Sequence, residues 1–147
     1  MKKITDNLYL GDRYSAPITS EVVVSCAQEM YQEIVSDGNN FFNNNQGGYY
    51  FNFEDYPANN TLDSSLVLKA VKLLEENVPN KEVYIHCIWG INRSASIVFI
   101  YLVRNGLLPK NDFKSAQKAF QKLYPPFSPN PGWQIFLINN FPYDKLC

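Results

Sequence analysis

Cys87, Arg93 and Ser94 lie close together in a stretch of sequence that suits the handling of a phosphate group. The apolar run before the cysteine, 83–85, predicts a strand, and the apolar run after the serine, 95–102, predicts a helix. A loop that curls over a helix N-terminus directs backbone N–H groups inward and forms a cradle for an anion. We therefore predict that phosphate is bound by the loop residues Ile88, Trp89, Gly90, Ile91, Asn92 and Arg93.

Gly90 and Arg93 are the loop residues whose chemical type matters most. Glycine permits the backbone conformation that a tight curl requires. A guanidinium is a planar fork that matches two phosphate oxygens, which the ammonium group of lysine cannot do. Arg93 is therefore expected to clamp the phosphate.

Cys87 is the expected nucleophile. A helix N-terminus and a guanidinium favour the ionised thiolate, which is the reactive form. His86 is expected to order the loop by hydrogen bonding, and Ser94 to donate its hydroxyl to the sulfur when the sulfur leaves. Taken alone, a cysteine after a strand is usually a small buried apolar residue. Its combination with Gly90 and Arg93 at this spacing favours catalysis instead.

No metal or organic cofactor is expected. His86 is the one histidine of the sequence, and no cluster of carboxylates accompanies it. The three cysteines, Cys26, Cys87 and Cys147, have the spacing neither of a disulfide framework nor of paired metal ligands.

Strands and helices alternate along the rest of the chain. β-branched, apolar or aromatic runs predict further strands at 7–11, 22–26 and 49–53. The Asn- and Gly-rich segment 36–48 is predicted to be a surface loop. The alternation predicts one α/β domain over 1–147, with a mostly parallel central sheet of four to five strands flanked by helices.

Three more helices are predicted from apolar residues at helical spacing and from helix-starting residues. One begins near Leu62 and ends before Pro79, one is capped by Asn111, and the last has Pro131 in its first turn.

Composition limits the partners of the protein. The 147 residues carry a net charge of −1 with a pI of about 5.8, so neither nucleic acid nor a membrane surface is an expected partner. No stretch resembles a signal peptide or a membrane span. The cytoplasm, or the nucleus, is the expected location, and no feature indicates an oligomeric state.

The sequence His86-Cys87, five residues, then Arg93-Ser94 resembles the signature loop of the protein tyrosine phosphatase superfamily. Two other segments resemble its small dual-specificity branch: Asn7-Leu8-Tyr9-Leu10-Gly11, the opening strand, and Phe127-Ser128-Pro129-Asn130, before the last helix. The resemblance spans most of the chain. It implies a phosphatase that forms a phosphocysteine intermediate on Cys87.

A carboxyl group on a nearby loop is the usual proton donor for the departing oxygen, and the candidates lie upstream of the cysteine. Glu75, Glu76 and Glu82 have the spacing of a solvated helix face, and Asp63 is expected in the first turn of a helix, where a carboxylate is favoured anyway. Glu54 and Asp55 remain, both in a predicted loop. The resemblance assigns the role to Asp55, because members of this family carry an aspartate about thirty residues before the cysteine; Glu54 is the alternative.

Phosphoproteins are the implied substrates, with phosphotyrosine expected and phosphoserine and phosphothreonine left open. Ile88, Trp89 and Ile91 are uncharged, which disfavours a highly charged inositol headgroup. Asn92 resembles the corresponding residue of the related RNA 5′-triphosphatases, so that activity is one alternative. A non-catalytic phosphoprotein-binding domain is another. Some relatives carry a cysteine at the position of Cys26 that traps the oxidised nucleophile as a disulfide; a buried structural thiol is the alternative for this residue.

Overall fold

Four parallel strands form the centre of the molecule. In the computed structural model, which describes residues 1–35 and 38–147, their spatial order is β2 (Leu8–Gly11), β6 (Val83–His86), β3 (Val22–Ser25) and β5 (Gly48–Phe51). All residues of β6 are buried, because it lies between β2 and β3. A continuous apolar run of this kind is typical of a strand that is covered on both faces.

Two strands at the edges of the sheet run antiparallel to their neighbours. β1 (Lys2–Thr5) pairs with β2, and β4 (Phe41–Asn43) pairs with β5. The described residues therefore form a six-stranded mixed sheet with five helices. The predicted α/β fold class is confirmed, and the sheet has six strands instead of the expected four to five.

The predicted loop 36–48 is wrong where β4 forms. Phe41 and Phe42 pair in register with Phe51 and Tyr50, and the ring centroids of these pairs lie 4.9 and 6.2 Å apart. These cross-strand aromatic contacts stabilise a hairpin in a stretch that looks like loop from its asparagines. Residues 36 and 37 of the predicted loop lie outside the described residues.

The helices of the described chain are α1 (Gln28–Ile34), α2 (Ser64–Asn77), α3 (Arg93–Arg104), α4 (Phe113–Leu123) and α5 (Pro131–Asn140). Every residue of α3 except its last is buried, which makes α3 the central helix of the core. No prediction covers α1, because its single buried residue, Tyr31, leaves no periodic apolar face to detect. None of the helices in the part of the chain described is long and apolar enough to cross a membrane.

Two aspartates cap helices. Asp63, expected inside α2, precedes it and accepts the backbone N–H of Ser65 at 3.0 Å. The hydroxyl of Ser65 also donates to Asp63 and holds the pKa of that carboxyl below its usual value. A carboxyl group with a lowered pKa is better suited to capping a helix than to donating a proton. The cap of α4 is Asp112 and not the predicted Asn111, since Asp112 accepts a backbone N–H at 2.8 Å.

The carboxyl ends of three strands meet at one edge of the sheet. Gly11 of β2 and Ser25 of β3 both lie in register with His86, the last residue of β6. The loop 87–92, which joins β6 to α3, is therefore flanked by the segments that follow β2 and β3. In parallel sheets this edge is the usual place for a binding site.

Candidate active site

The loop 87–92 curls tightly between β6 and α3. Gly90 has φ of +75°, a left-handed conformation that favours glycine. A Cβ atom at this residue would lie 2.5 Å from the backbone oxygen of Gly11, so the neighbouring strand end also excludes a side chain there. The curl that the sequence predicts at Gly90 is present.

The carbonyl groups of this loop are held by donors on its outer side. His86 Nδ1 donates to the oxygen of Cys87 at 3.0 Å, and three further donors bind the next carbonyls. These donors are Arg13 N to Ile88 O at 3.3 Å, Tyr124 Oη to Gly90 O at 2.7 Å and Ser128 N to Ile91 O at 2.7 Å. In a trans peptide the N–H points opposite to the carbonyl, so the amides that follow are directed to the inner side of the loop.

The sulfur of Cys87 lies inside this cradle. It accepts the backbone N–H of Gly90 at 3.3 Å and the hydroxyl of Ser94 at 3.2 Å, and the residue is 3% exposed. Both donors are aimed at the sulfur from the inner side of the loop. Ser94 thus lies where it can support the sulfur both as nucleophile and as leaving group.

His86 contacts both the loop and strand β6. Burial lowers the pKa of His86, so the imidazole is neutral at physiological pH. Its ring stacks on that of Tyr84 with centroids 5.7 Å apart. A neutral ring that donates through Nδ1 holds the Cys87 carbonyl without adding charge to the loop.

The guanidinium of Arg93 is buried beside the sulfur. Nη1 donates to Glu29 Oε1 at 2.6 Å and to the backbone oxygen of Phe53 at 3.0 Å, and Nη2 donates to Glu29 Oε2 at 3.2 Å. Although burial acts to lower it, the ion pair with Glu29 leaves the pKa of Arg93 raised. Among the described residues Nε has no hydrogen-bond partner, and it lies 3.5 Å from Asp55 Oδ1. Nε therefore forms an ion pair with Asp55 but has a hydrogen-bond donor to spare.

Glu29 is a site residue for which the sequence suggested no role. Its hydrogen bond from Arg93 holds the pKa of its carboxyl below the usual value, so the carboxylate is ionised and orients the guanidinium. Glu29 lies in the first turn of α1, just after β3, which is a direct neighbour of β6. An acidic residue soon after a strand parallel to the signature strand is the signal that would have indicated it.

Asp55 is held against the loop by two asparagines. Asn92 Nδ2 donates to the Asp55 backbone oxygen at 2.9 Å and to Oδ1 at 2.8 Å. Asn130 completes the arrangement, because its N–H donates to Asn92 Oδ1 at 2.8 Å and its side chain to the Asp55 backbone oxygen at 2.8 Å. We call Asp55, Asn92 and Asn130 the asparagine clasp. Asn130 is a second positioning residue that sequence reasoning did not single out.

The two candidate acids occupy different surroundings. Asp55 lines the same cavity as Cys87 and Arg93, whereas Glu54 lines a different cavity. The Glu54 backbone oxygen accepts the indole N–H of Trp133 at 2.9 Å, which fixes the loop in this orientation. The geometry thus favours Asp55 as the carboxyl group that can reach a leaving group.

The cavity around Cys87 has a volume of about 190 Å³. Two aromatic side chains at its rim are mostly solvent-exposed, Trp89 at 70% and Tyr56 at 75%. The complete lining consists of Asp55, Tyr56, Cys87, Ile88, Trp89, Ile91, Asn92, Arg93 and Asn130. All the residues predicted to bind phosphate are therefore in the lining except Gly90, which contributes its backbone N–H.

Cys26 lies behind the site and is fully buried. Burial, with the charge of Cys87 as a second cause, raises the pKa of the Cys26 thiol well above its usual value. Cys26 is a free, protonated thiol in this state. Among the described residues, no group of three or more His, Cys, Asp and Glu side chains is arranged to hold a metal ion.

Comparison with known proteins gives matches in structure alone. No protein-family model and no curated protein matches the sequence. DUSP15 superposes with a TM-score of 0.71 at 18% identity, covering 95% of this chain and 86% of DUSP15. A human tyrosine phosphatase-like serine/threonine/tyrosine-interacting protein gives 0.67 at 19% identity, with 95% and 93% covered.

OH1 from the Orf virus, a tyrosine phosphatase, gives a TM-score of 0.60 at 20% identity, with 98% of this chain and 87% of that chain covered. At these identities the likeness establishes the fold. The fold is that of the tyrosine and dual-specificity phosphatases, and the prediction from the signature loop is confirmed at that level.

Proposed function

From this phosphatase fold as premise, we propose that residues 1–147 form a cysteine-dependent phosphatase domain that acts on phosphotyrosine in proteins, with phosphoserine and phosphothreonine as further candidates. One observation carries the proposal. The Cys87 sulfur lies within hydrogen-bond distance of Ser94 and Gly90, in a cavity that it shares with Arg93 and Asp55. The residues proposed as nucleophile, phosphate clamp and acid thus line one small cavity.

The first step transfers the phosphoryl group to sulfur. The Cys87 thiolate attacks phosphorus, an S–P bond forms and the bond from phosphorus to the ester oxygen breaks. The departing oxygen takes the electron pair of that bond and a proton from Asp55. Arg93 and the inward-directed amides bind the phosphoryl oxygens, whose charge is spread in the transition state.

The second step releases phosphate. A water oxygen attacks phosphorus, Asp55 now accepts its proton, and the S–P bond breaks with its electron pair returning to sulfur. Ser94 already donates to that sulfur at 3.2 Å, so the leaving thiolate is stabilised as it forms. Apart from water, every group that these two steps use belongs to the chain.

The charge of the cavity supports a substrate with one phosphate group. Arg93 is the one cation among the cavity-lining residues of the described chain, and it is already paired with Glu29. A triphosphate or an inositol polyphosphate would bring further negative charges for which the lining has no partner. The exposed rings of Trp89 and Tyr56 suit the aromatic side chain of phosphotyrosine instead.

Phosphate release without added metal tests the proposal. We expect vanadate-sensitive hydrolysis of a phosphotyrosyl peptide, with a higher kcat/KM than for release of γ-phosphate from triphosphate-ended RNA. The reverse preference would identify an RNA 5′-triphosphatase. Binding of the peptide without any hydrolysis would identify a non-catalytic phosphoprotein-binding domain.

Replacement of Asp55 by asparagine is expected to slow turnover in a way that depends on the leaving group. For a phosphotyrosyl peptide, whose phenolate is a poor leaving group, kcat should fall about 10² to 10⁴-fold, the usual contribution of a general acid. For an aryl phosphate whose phenolate leaves unaided, kcat for the first step should change little. An asparagine at position 55 still has an Oδ1 atom that can accept the hydrogen bond from Asn92. The loop that carries residue 55 should therefore keep its position. Single-turnover kinetics over a series of aryl phosphates measures the effect.

Glu54→Gln is the matched control for this experiment. It removes one negative charge from the adjacent residue, which lies outside the cavity of Cys87. We expect the rate of hydrolysis to be unchanged for every substrate. An equal loss on all leaving groups in Asp55→Asn would count against its role as acid. A dependence on the leaving group in Glu54→Gln would transfer the role to that residue.

A further inference from the structure

A second groove lies between the β4–β5 hairpin and α2, and it has no residue in common with the cavity of Cys87. Its volume is about 350 Å³, within the range of natural ligand sites. We call it the α2–β4 groove. It is lined by Phe41, Phe51, Ser65, Leu68, Lys69, Lys72, Leu73 and Glu76.

The helical side of the groove is one continuous stripe of α2. Its members recur at intervals of three to four residues, which places them on a single face of the helix: Ser65, Leu68, Lys69, Lys72, Leu73 and Glu76. A different face of α2, formed by Leu66, Val67, Ala70, Val71 and Leu74, is buried in the core. Leu68 and Leu73, on the face that lines the groove, are only partly buried. That face therefore leaves apolar surface accessible to a partner.

The rim of the groove is positively charged. The Lys69 ammonium lies 4.0 Å from the centre of the Phe41 ring, and both Lys69 and Lys72 are exposed. Neither lysine forms an ion pair with a carboxylate of the described residues. With Glu76 as the one acidic residue of the lining, the groove has an excess positive charge on a chain whose overall charge is −1.

The strand side of the groove is the edge of the sheet. β4 pairs with β5 on one side, and in the described chain no strand pairs with it on the other. Such an edge offers backbone groups to an added strand. Phe41 packs on Phe51 across the hairpin and both line the groove, so an extended segment laid along β4 would lie next to this apolar surface.

We propose that the α2–β4 groove binds an extended acidic segment of a partner protein, in which carboxylates alternate with apolar side chains. The segment lies along β4, its apolar side chains enter the groove against Phe41, Leu68 and Leu73, and its carboxylates pair with Lys69 and Lys72. Alternation suits this geometry because successive side chains of an extended chain point to opposite faces.

The probe is a fluorescein-labelled ten-residue peptide that alternates Glu or Asp with Leu or Phe and has no phosphate, titrated by fluorescence anisotropy. Lys69→Glu/Lys72→Glu should raise its Kd about tenfold, since two exposed ion pairs are replaced by like charges. Lys118→Glu/Lys122→Glu on α4 makes the same charge change at two exposed lysines four residues apart and should leave the Kd unchanged. Glu76→Lys should lower the Kd about threefold. Hydrogen exchange of residues 41–43 should slow in the complex.

Equal weakening by the two double variants would show non-specific charge attraction and overturn the proposal. Equal binding of a peptide with Lys in place of Glu and Asp, displacement of the probe by an RNA oligonucleotide, or unchanged exchange at 41–43 would also overturn it. Because the probe has no phosphate, these results do not depend on whether the chain hydrolyses phosphate esters. Hydrolysis of a small aryl phosphate by Lys69→Glu/Lys72→Glu should equal that of the wild type.

Discussion

Replacement of Cys87 by serine is expected to lower kcat for a phosphotyrosyl peptide by at least about 10⁴-fold, as removal of a catalytic nucleophile usually does. The serine oxygen can accept the same donors, Gly90 N–H and the Ser94 hydroxyl, so the loop should keep its shape. A hydroxyl is far harder to ionise than a thiol, however, so the serine should remain a poor nucleophile. Rapid-quench assays of phosphate release measure the loss.

Phosphopeptide binding separates lost chemistry from lost structure. Cys87→Ser should bind a phosphotyrosyl peptide with a Kd close to the KM of the wild type, because Arg93 and the amides of the loop remain. Cys147→Ser, which changes an exposed thiol, should retain full activity. Residual turnover of Cys87→Ser within tenfold of the wild type would show that Cys87 is not the nucleophile.

Replacement of Arg93 by lysine is expected to lower kcat/KM about 10³-fold, comparable to the loss of an oxyanion donor. A lysine ammonium can still pair with Glu29 and so keeps the buried charge balanced. It lacks a second parallel donor, and Arg93 Nε is the donor that the described residues leave without a hydrogen-bond partner. The phosphoryl oxygens therefore lose a planar contact that strengthens in the transition state.

Arg104→Lys is the matched control. Arg104 also pairs with a carboxylate, Glu75 at 3.0 Å, and also donates to a backbone oxygen, that of Tyr143 at 3.1 Å. It lies at the other end of α3, so its replacement should leave kcat/KM unchanged. Equal losses in both variants, with similar falls in melting temperature, would show that Arg93 acts through stability alone.

The parts of the site that the residues alone predict lie together in the chain, whereas Asp55 is predicted only through the family resemblance. Cys87, Gly90, Arg93 and Ser94 form one local structure, because the strand end, the curl and the helix start are set by adjacent residues. Glu29 and the loop of Asp55 reach the site only through the order of the strands. That order depends on non-local packing, which no short sequence pattern reports.

The difference between local and non-local contacts also explains the errors in the fold prediction. The parallel strands were found because burial on both faces leaves a continuous apolar run, as in Val83–His86. The edge strand Phe41–Asn43 was missed because its stability comes from cross-strand aromatic pairs with β5, and those contacts are invisible until the hairpin closes. The helix Gln28–Ile34 was missed because it buries a single residue.

The asparagine clasp has a consequence for the timing of turnover. In many enzymes a mobile segment must shut over the substrate before reaction, and reopening then limits the rate. Here Asn92 and Asn130 hold Asp55 at the Cys87 cavity through hydrogen bonds within the protein itself. The ordering entropy of the acid is thus lost during folding and not at each encounter with substrate. For the proposed reaction we therefore expect that closure of a loop over the substrate does not limit the rate.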